Sequence, residues 1–211
     1  MGRTVQTIVA AGSSSTAGIT SAAALTLIRA NAGYEYIKTV KLTTTEVAAI
    51  EITGLDSSLY SGFRIIGNRL SYGGGASGTT WTVRILTGTN TTDSAGNYSF
   101  EGFKFASGFT TNYGSAQSSW NGNIGYGGAN SSTADFTMDY NIVNGAAQDA
   151  NMWLEVFSSK PGGYWGGAGV LTGIHTTTGA IPTGIRIENS LNFRASVTDA
   201  YVTVLGLRTR A

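Results

Sequence analysis

TADFTMDYNIV, residues 133–143, alternates polar and apolar side chains without a break. Successive side chains of an extended chain point to opposite faces. The stretch therefore sets Phe136, Met138, Tyr140 and Ile142 on one face, with Asp135 and Asp139 on the other, and reads as a half-buried strand. The same period recurs outward in both directions. Towards the C-terminus, MWLEVF (152–157) is short and apolar, as a central strand would be, and 170–175, 185–187, 191–195 and 201–207 complete the series. Towards the N-terminus, YSFEGFKF (98–105) turns Glu101 away from Tyr98 and Phe100, and 81–86, 60–70, 47–52 and 36–42 are further strands. About ten strands with turn signals every roughly 8–12 residues make a sandwich or barrel. The fold expected is all-β, a jelly-roll-like antiparallel β-sandwich.

Composition agrees. The chain has 211 residues, of which 41% are hydrophobic, enough for one sizeable core. Charged residues make up only 12%, about half the usual share of roughly 25%. Gly, Ser, Thr and Asn take their place, with 30 glycines and only two prolines, Pro161 and Pro182, both beside strands. Thirteen basic and 12 acidic residues leave a net charge of +1 and are scattered singly. Neutralising nucleic-acid phosphates needs clustered Lys or Arg, so no nucleic-acid partner is expected, and Arg208 and Arg210 read as a solvated tail. There are no cysteines, which suits a reducing compartment and excludes disulfides and thiolate metal sites. No run of about 18 apolar residues implies a membrane span, and MGRTVQTIVAAGSSSTAG lacks the charged and apolar regions of a secretion signal.

Residues 1–30 are rich in Ala, Ser, Thr and Gly, with one apolar knot at 22–28. They are expected to form an extended anchoring arm, with residues 31–211 as the β-sandwich domain.

Catalytic and metal chemistry finds little footing. His175 is the sole histidine; no neighbouring motif places an acid beside it, and no G-x-S-x-G elbow occurs. One histidine cannot make a zinc site. Residues 93–97 (DSAGN) resemble a fragment of a calcium loop but lack its further acids, and read as an ordinary turn. Asp135 and Asp139 share a strand face roughly 13 Å apart, too far for glycoside cleavage. Gly73, Gly74 and Gly75 precede no Lys-Ser/Thr pair and form no phosphate loop. No catalytic residue, cofactor or metal is expected. What remains is binding: Tyr113, Trp120, Tyr126, Tyr164 and Trp165 lie in stretches dense in Gly, Ser and Asn that read as loops. Flat rings beside small polar groups suit sugars or a protein surface, and these five form the candidate contact surface.

Three stretches carry a resemblance: ITGLDSSLY (52–60) with Phe63-Arg64-Ile65-Ile66, then Asn97-Tyr98-Ser99-Phe100, then Gly184-Ile185-Arg186-Ile187 with Phe193-Arg194 and the closing AYVTVLGL (200–207). Together they resemble a group of tailed-bacteriophage virion proteins of the jelly-roll type, over roughly residues 45–207. The resemblance implies a non-enzymatic structural protein on the outside of a virion, in a tail fibre or appendage serving host attachment. Head decoration is its variant, and a free carbohydrate-binding module the reading from another class. The partners expected are further copies of this chain, as a homotrimer; other virion proteins through residues 1–30; and a host-surface glycan. The location expected is the virion, assembled in the host cytoplasm.

Overall fold

Alternation becomes pairing in the computed structural model, which describes residues 33–42, 47–72, 79–88, 91–105, 109–125, 133–142, 150–159, 167–176, 182–195 and 200–208. The chain divides between Gly33 and Tyr34, and the arm expected over residues 1–30 lies outside the described residues. In chain order the strands are β1 (Tyr34–Lys41), β2 (Val47–Thr53), β3 (Tyr60–Tyr72), β4 (Thr79–Thr87), β5 (Thr91–Thr92), β6 (Tyr98–Phe105), β7 (Phe109–Gln117), β8 (Trp120–Gly125), β9 (Thr133–Ile142), β10 (Ala150–Ser159), β11 (Gly167–His175), β12 (Pro182–Ala195) and β13 (Tyr201–Arg208). The described residues contain no helix, and every strand pairing among them is antiparallel.

The strands form two layers. The long one runs β1-β13-β3-β9-β10-β11-β6-β7. In the short one β12 lies between β2 and β4, and β4 carries β5 and β8 on its far side. The layers join where the end of β12 pairs with the end of β3. The period-two pattern explains why they face each other. The long layer turns Phe63, Ile65, Phe136, Met138, Tyr140, Met152, Leu154 and Val156 inward, and the short layer meets them with Ile50, Ile52, Val83, Ile85, Ile185 and Ile187, all buried. Trp81 of β4 pins the interface. It packs edge-on against Phe136 of β9 (ring centroids 5.5 Å apart) and Phe193 of β12 (5.3 Å), an arrangement favoured by the charge distribution of the rings. The result is the expected antiparallel β-sandwich.

The ITGLDSS stretch makes the passage from β2 to β3. Gly54 adopts φ +72°, a left-handed conformation that glycine takes at little cost. The Asp56 carboxylate then accepts the Ser58 amide at 2.9 Å, closing an Asx turn.

Three expectations need correction. The stretches 185–187 and 191–195 are one strand, β12, whose register shifts between Glu188 and Phe193. Of the stretch 111–130, expected as loop, residues 111–117 belong to β7 and 120–125 form β8; their Gly, Ser and Asn lower strand propensity, and pairing with β6 and β4 overrides it. Arg208 is not a free tail residue. It ends β13 and donates to Glu35 of β1 at 2.6 Å, while Arg210 lies outside the described residues.

Candidate functional site

The outward face of the long layer carries a row built from one residue of each of six strands: Arg64, Asp139, Trp153, Thr172, Glu101 and Tyr113, each the cross-strand partner of the next. Direct partners share a face, and along β3, β9, β10 and β11 the residues on either side of the row are buried. Arg64 grips Asp139 in a two-pronged ion pair, at 2.6 and 2.7 Å. The guanidinium also lies over the ring of Tyr34, 4.9 Å from its centroid. Asp139 is thus committed to a structural partner. Trp153 is 46% exposed, and its indole N–H donates to Glu155 two residues on, at 2.9 Å. That bond fixes the ring and uses its one polar atom, leaving a flat apolar face for contact. Thr172 and Glu101 of the row also line a shallow depression of about 260 Å³, together with Ser99, Phe100, Gly114, Gly173 and Ile174. Tyr113, at the end of the row, is 87% exposed.

Beneath that depression lies a buried aromatic cluster. Trp120 of β8 is fully buried, meets Tyr98 edge-on at 5.1 Å, and donates its indole N–H to the Ile174 carbonyl at 3.2 Å. A Cβ on Gly173 would lie 2.2 Å from the Trp120 ring, so only glycine lets the indole lie against β11. Next to it His175, also fully buried, packs at a tilt against Tyr98, ring centroids 4.3 Å apart, and holds the Asp93 carboxylate through Nε2 at 2.8 Å. Asp93 in turn accepts the Ala95 amide at 2.9 Å, and its own amide donates to the Ile85 carbonyl at 2.9 Å. Residues 93–97 are therefore the turn that the sequence indicated. The sequence placed no acid beside His175, yet 82 residues of separation close in the fold. Nothing local could have signalled it. An imidazole–carboxylate pair is half of a hydrolase triad, but an imidazole with no exposed surface meets no substrate. Its work here is to fasten the turn before β6 to the end of β11.

Of the five residues marked in the sequence, the structure places two. Tyr113 is exposed, though on β7 rather than in a loop. Trp120 is removed from the contact surface by burial: it is core, because β8 folds over β6 and β11. Tyr126, Tyr164 and Trp165 lie outside the described residues. Sequence reading missed Trp153, whose place in a short apolar run suggested a central strand. Its acidic neighbour Glu155, at the i+2 position and hence on the same face, was the available sign of an outward face. Among the described residues no group of three or more His, Asp or Glu gathers as a metal site.

No protein-family model matches the chain, and no curated protein matches it. Among solved structures it is weakly similar to VP2 of infectious bursal disease virus. The subviral particle of VP2 gives 14% identity over 80% of this chain with a TM-score of 0.19. A VP2 mutant from T=1 particles gives 13% over 82% with a TM-score of 0.20. The chain spans 40% of the length of either VP2 chain. Scores of this size do not establish a shared fold.

Proposed function

We propose that this chain is a non-enzymatic structural protein of a tailed-phage virion, placed in a tail fibre or appendage and serving host attachment. The observation that carries the reading is the outward face of the long layer. Tyr36, Phe105, Tyr113, Trp153, Phe157 and Ile174 all stand exposed on strands of that layer. A monomer seldom shows so many large apolar side chains on one side, and such a face marks a contact surface. The low charge of the chain supports the same reading, since a surface that is covered on assembly needs little charge for solubility. Partners are further copies of the chain, arranged as a trimer, and other virion proteins held through residues 1–30.

Antibody labelling of purified particles, imaged by electron microscopy, tests this. Label on tail tips or fibres is the expected result. Label over the head would replace attachment by capsid decoration. Its absence from every particle would overturn the virion reading and favour a free carbohydrate-binding module.

A further inference from the structure

We infer that the corner of the long layer over β10, β11 and β6 packs against a second copy of this chain. The inference rests on the reading of the outward face as a contact surface, and gives that surface a centre and a partner.

Register defines the corner. Phe157, Ala168 and Phe105 are cross-strand partners in one row, and Glu155, Val170 and Phe103 form the row beside it. Both rows lie an even number of residues from Trp153, Thr172 and Glu101 along their strands, so they share the outward face. Phe157 is 55% and Phe105 52% exposed; Ala168, Val170 and Phe103 are half-buried. These five residues hold no charge. The carboxylates surround them: Glu155 within its row, Glu101 in the next, and Asp135 as the partner of Phe157 on β9. An apolar centre with a polar rim is the anatomy of a protein–protein interface.

Area sets the size of the partner. Trp153, Tyr113 and Ile174 stand on the same face, 46, 87 and 57% exposed. With Phe157 and Phe105 they expose about 600 Å², taking roughly 200 Å² for each whole side chain. A stable interface needs about 800 Å² per partner, so the large apolar side chains alone supply most of it. A small ligand covers far less than this; a protein covers it.

Charge selects a second copy. A surface that recognises a different protein gains its specificity from complementary charge, and this centre has none to offer. A self-contact brings identical groups together, and an uncharged centre is the arrangement that avoids repulsion. The outward face of the short layer is the opposite case. There Glu51, Arg186, Glu188 and Arg84 form one chain of ion pairs, a surface suited to water and costly to bury.

Sedimentation velocity on the purified full-length chain, across the micromolar range, tests the inference. Self-association is expected. Phe157→Glu and Phe105→Glu should each weaken it about thirtyfold or more, the loss typical of a central interface residue, with unchanged circular dichroism because both positions are exposed. Leu59→Glu, at a residue 51% exposed in the turn before β3, should associate as the parent does. The chain has no cysteine, so Ala168→Cys marks the corner with a single thiol and no new charge. That thiol should react slowly with a labelling reagent in the associated chain and fast on dilution. A parent chain that stays monomeric, full association in both Glu variants, or a thiol equally reactive at every concentration would overturn the inference. So would a thiol shielded only on the particle, because the corner would then belong to a different virion protein. A chain that associates through this corner but is absent from virions would sink the structural role and leave this inference standing; a monomer found on virions would do the reverse.

Discussion

Two buried tyrosines show how much a single hydroxyl depends on what it meets. Tyr98 accepts the Ile85 amide at 2.9 Å and donates to the Asp93 carbonyl at 3.1 Å. The Tyr140 hydroxyl is buried with no hydrogen-bond partner among the described residues. Removing them should therefore have opposite consequences. Tyr98→Phe strands a buried backbone N–H and should cost about 1–3 kcal/mol. Tyr140→Phe relieves a buried polar atom and should be neutral or slightly stabilising. Chemical denaturation at neutral pH separates the two. Burial raises the pKa of both phenols above the ordinary 10.0. The folded state thus holds protons that the unfolded chain releases, so stability is complete below pH 10.0 and falls as pH rises above it. Tyr140→Phe removes one of these groups, and its denaturation midpoint should fall less steeply between about pH 8 and about pH 11 than that of the parent chain. The same reasoning separates two of the aromatic residues singled out in the sequence. Trp120→Ala should cost about 3–5 kcal/mol, as a core deletion does, whereas Tyr113→Ala should stay within about 0.5 kcal/mol. Thermal melts of the pair would expose any error in assigning one to the core and the other to the surface.

At the level of the strand, the two edges of the long layer differ. β1 contains Glu35, Lys38 and Lys41, and the Lys38 ammonium donates to the Thr53 carbonyl of β2. β7, FTTNYGSAQ, contains no charged residue and no proline, and among the described residues only β6 pairs with it. An uncharged edge strand is a template for pairing with another chain. If copies associate through it, a charge there should separate them: Thr111→Lys, at an exposed position, should lower the oligomer order seen by light scattering without lowering the melting temperature. An unchanged mass would move the subunit contact elsewhere. The composition that leaves β7 unguarded also hid it. Strands such as β9 and β13, with alternating Val, Ile, Phe or Tyr, were legible because period two and β-propensity agree. β7 and β8 are dense in Gly, Ser, Thr and Asn, residues that turns also use. Only their neighbours decide for a strand, and β4 and β6 lie tens of positions away from the partners β12 and β11 that complete the sheet. The site was illegible for the same reason. Its row takes one residue from each of several strands, and register across distant strands leaves no mark in the local sequence.

In the sandwich a long layer is covered on its inner face by a shorter one, and the strands β10, β6 and β7 carry exposed rings outward. The contacts that hold the sandwich together among the described residues run between its own strands. Trp81 joins the layers through Phe136 and Phe193, and the charged contacts Arg208–Glu35, Arg186–Glu51 and Arg64–Asp139 each link strands within the same set. These ion pairs are partly exposed and contribute little singly, so the buried apolar faces dominate stability. Each of these contacts is made among residues after Gly33. Deleting residues 1–30 should leave the melting temperature within a few degrees of the full chain, since a change below about 0.5 kcal/mol moves it by about that much. Incorporation into particles is a separate quantity. If the segment is the anchor, the truncated chain should fold yet be missing from purified virions, as quantitative immunoblotting would read. Normal copy number on the particle would mean that the sandwich holds itself in place, through the β7 edge or the outward face. A large fall in melting temperature would mean instead that the first thirty residues belong to the fold and not to its attachment.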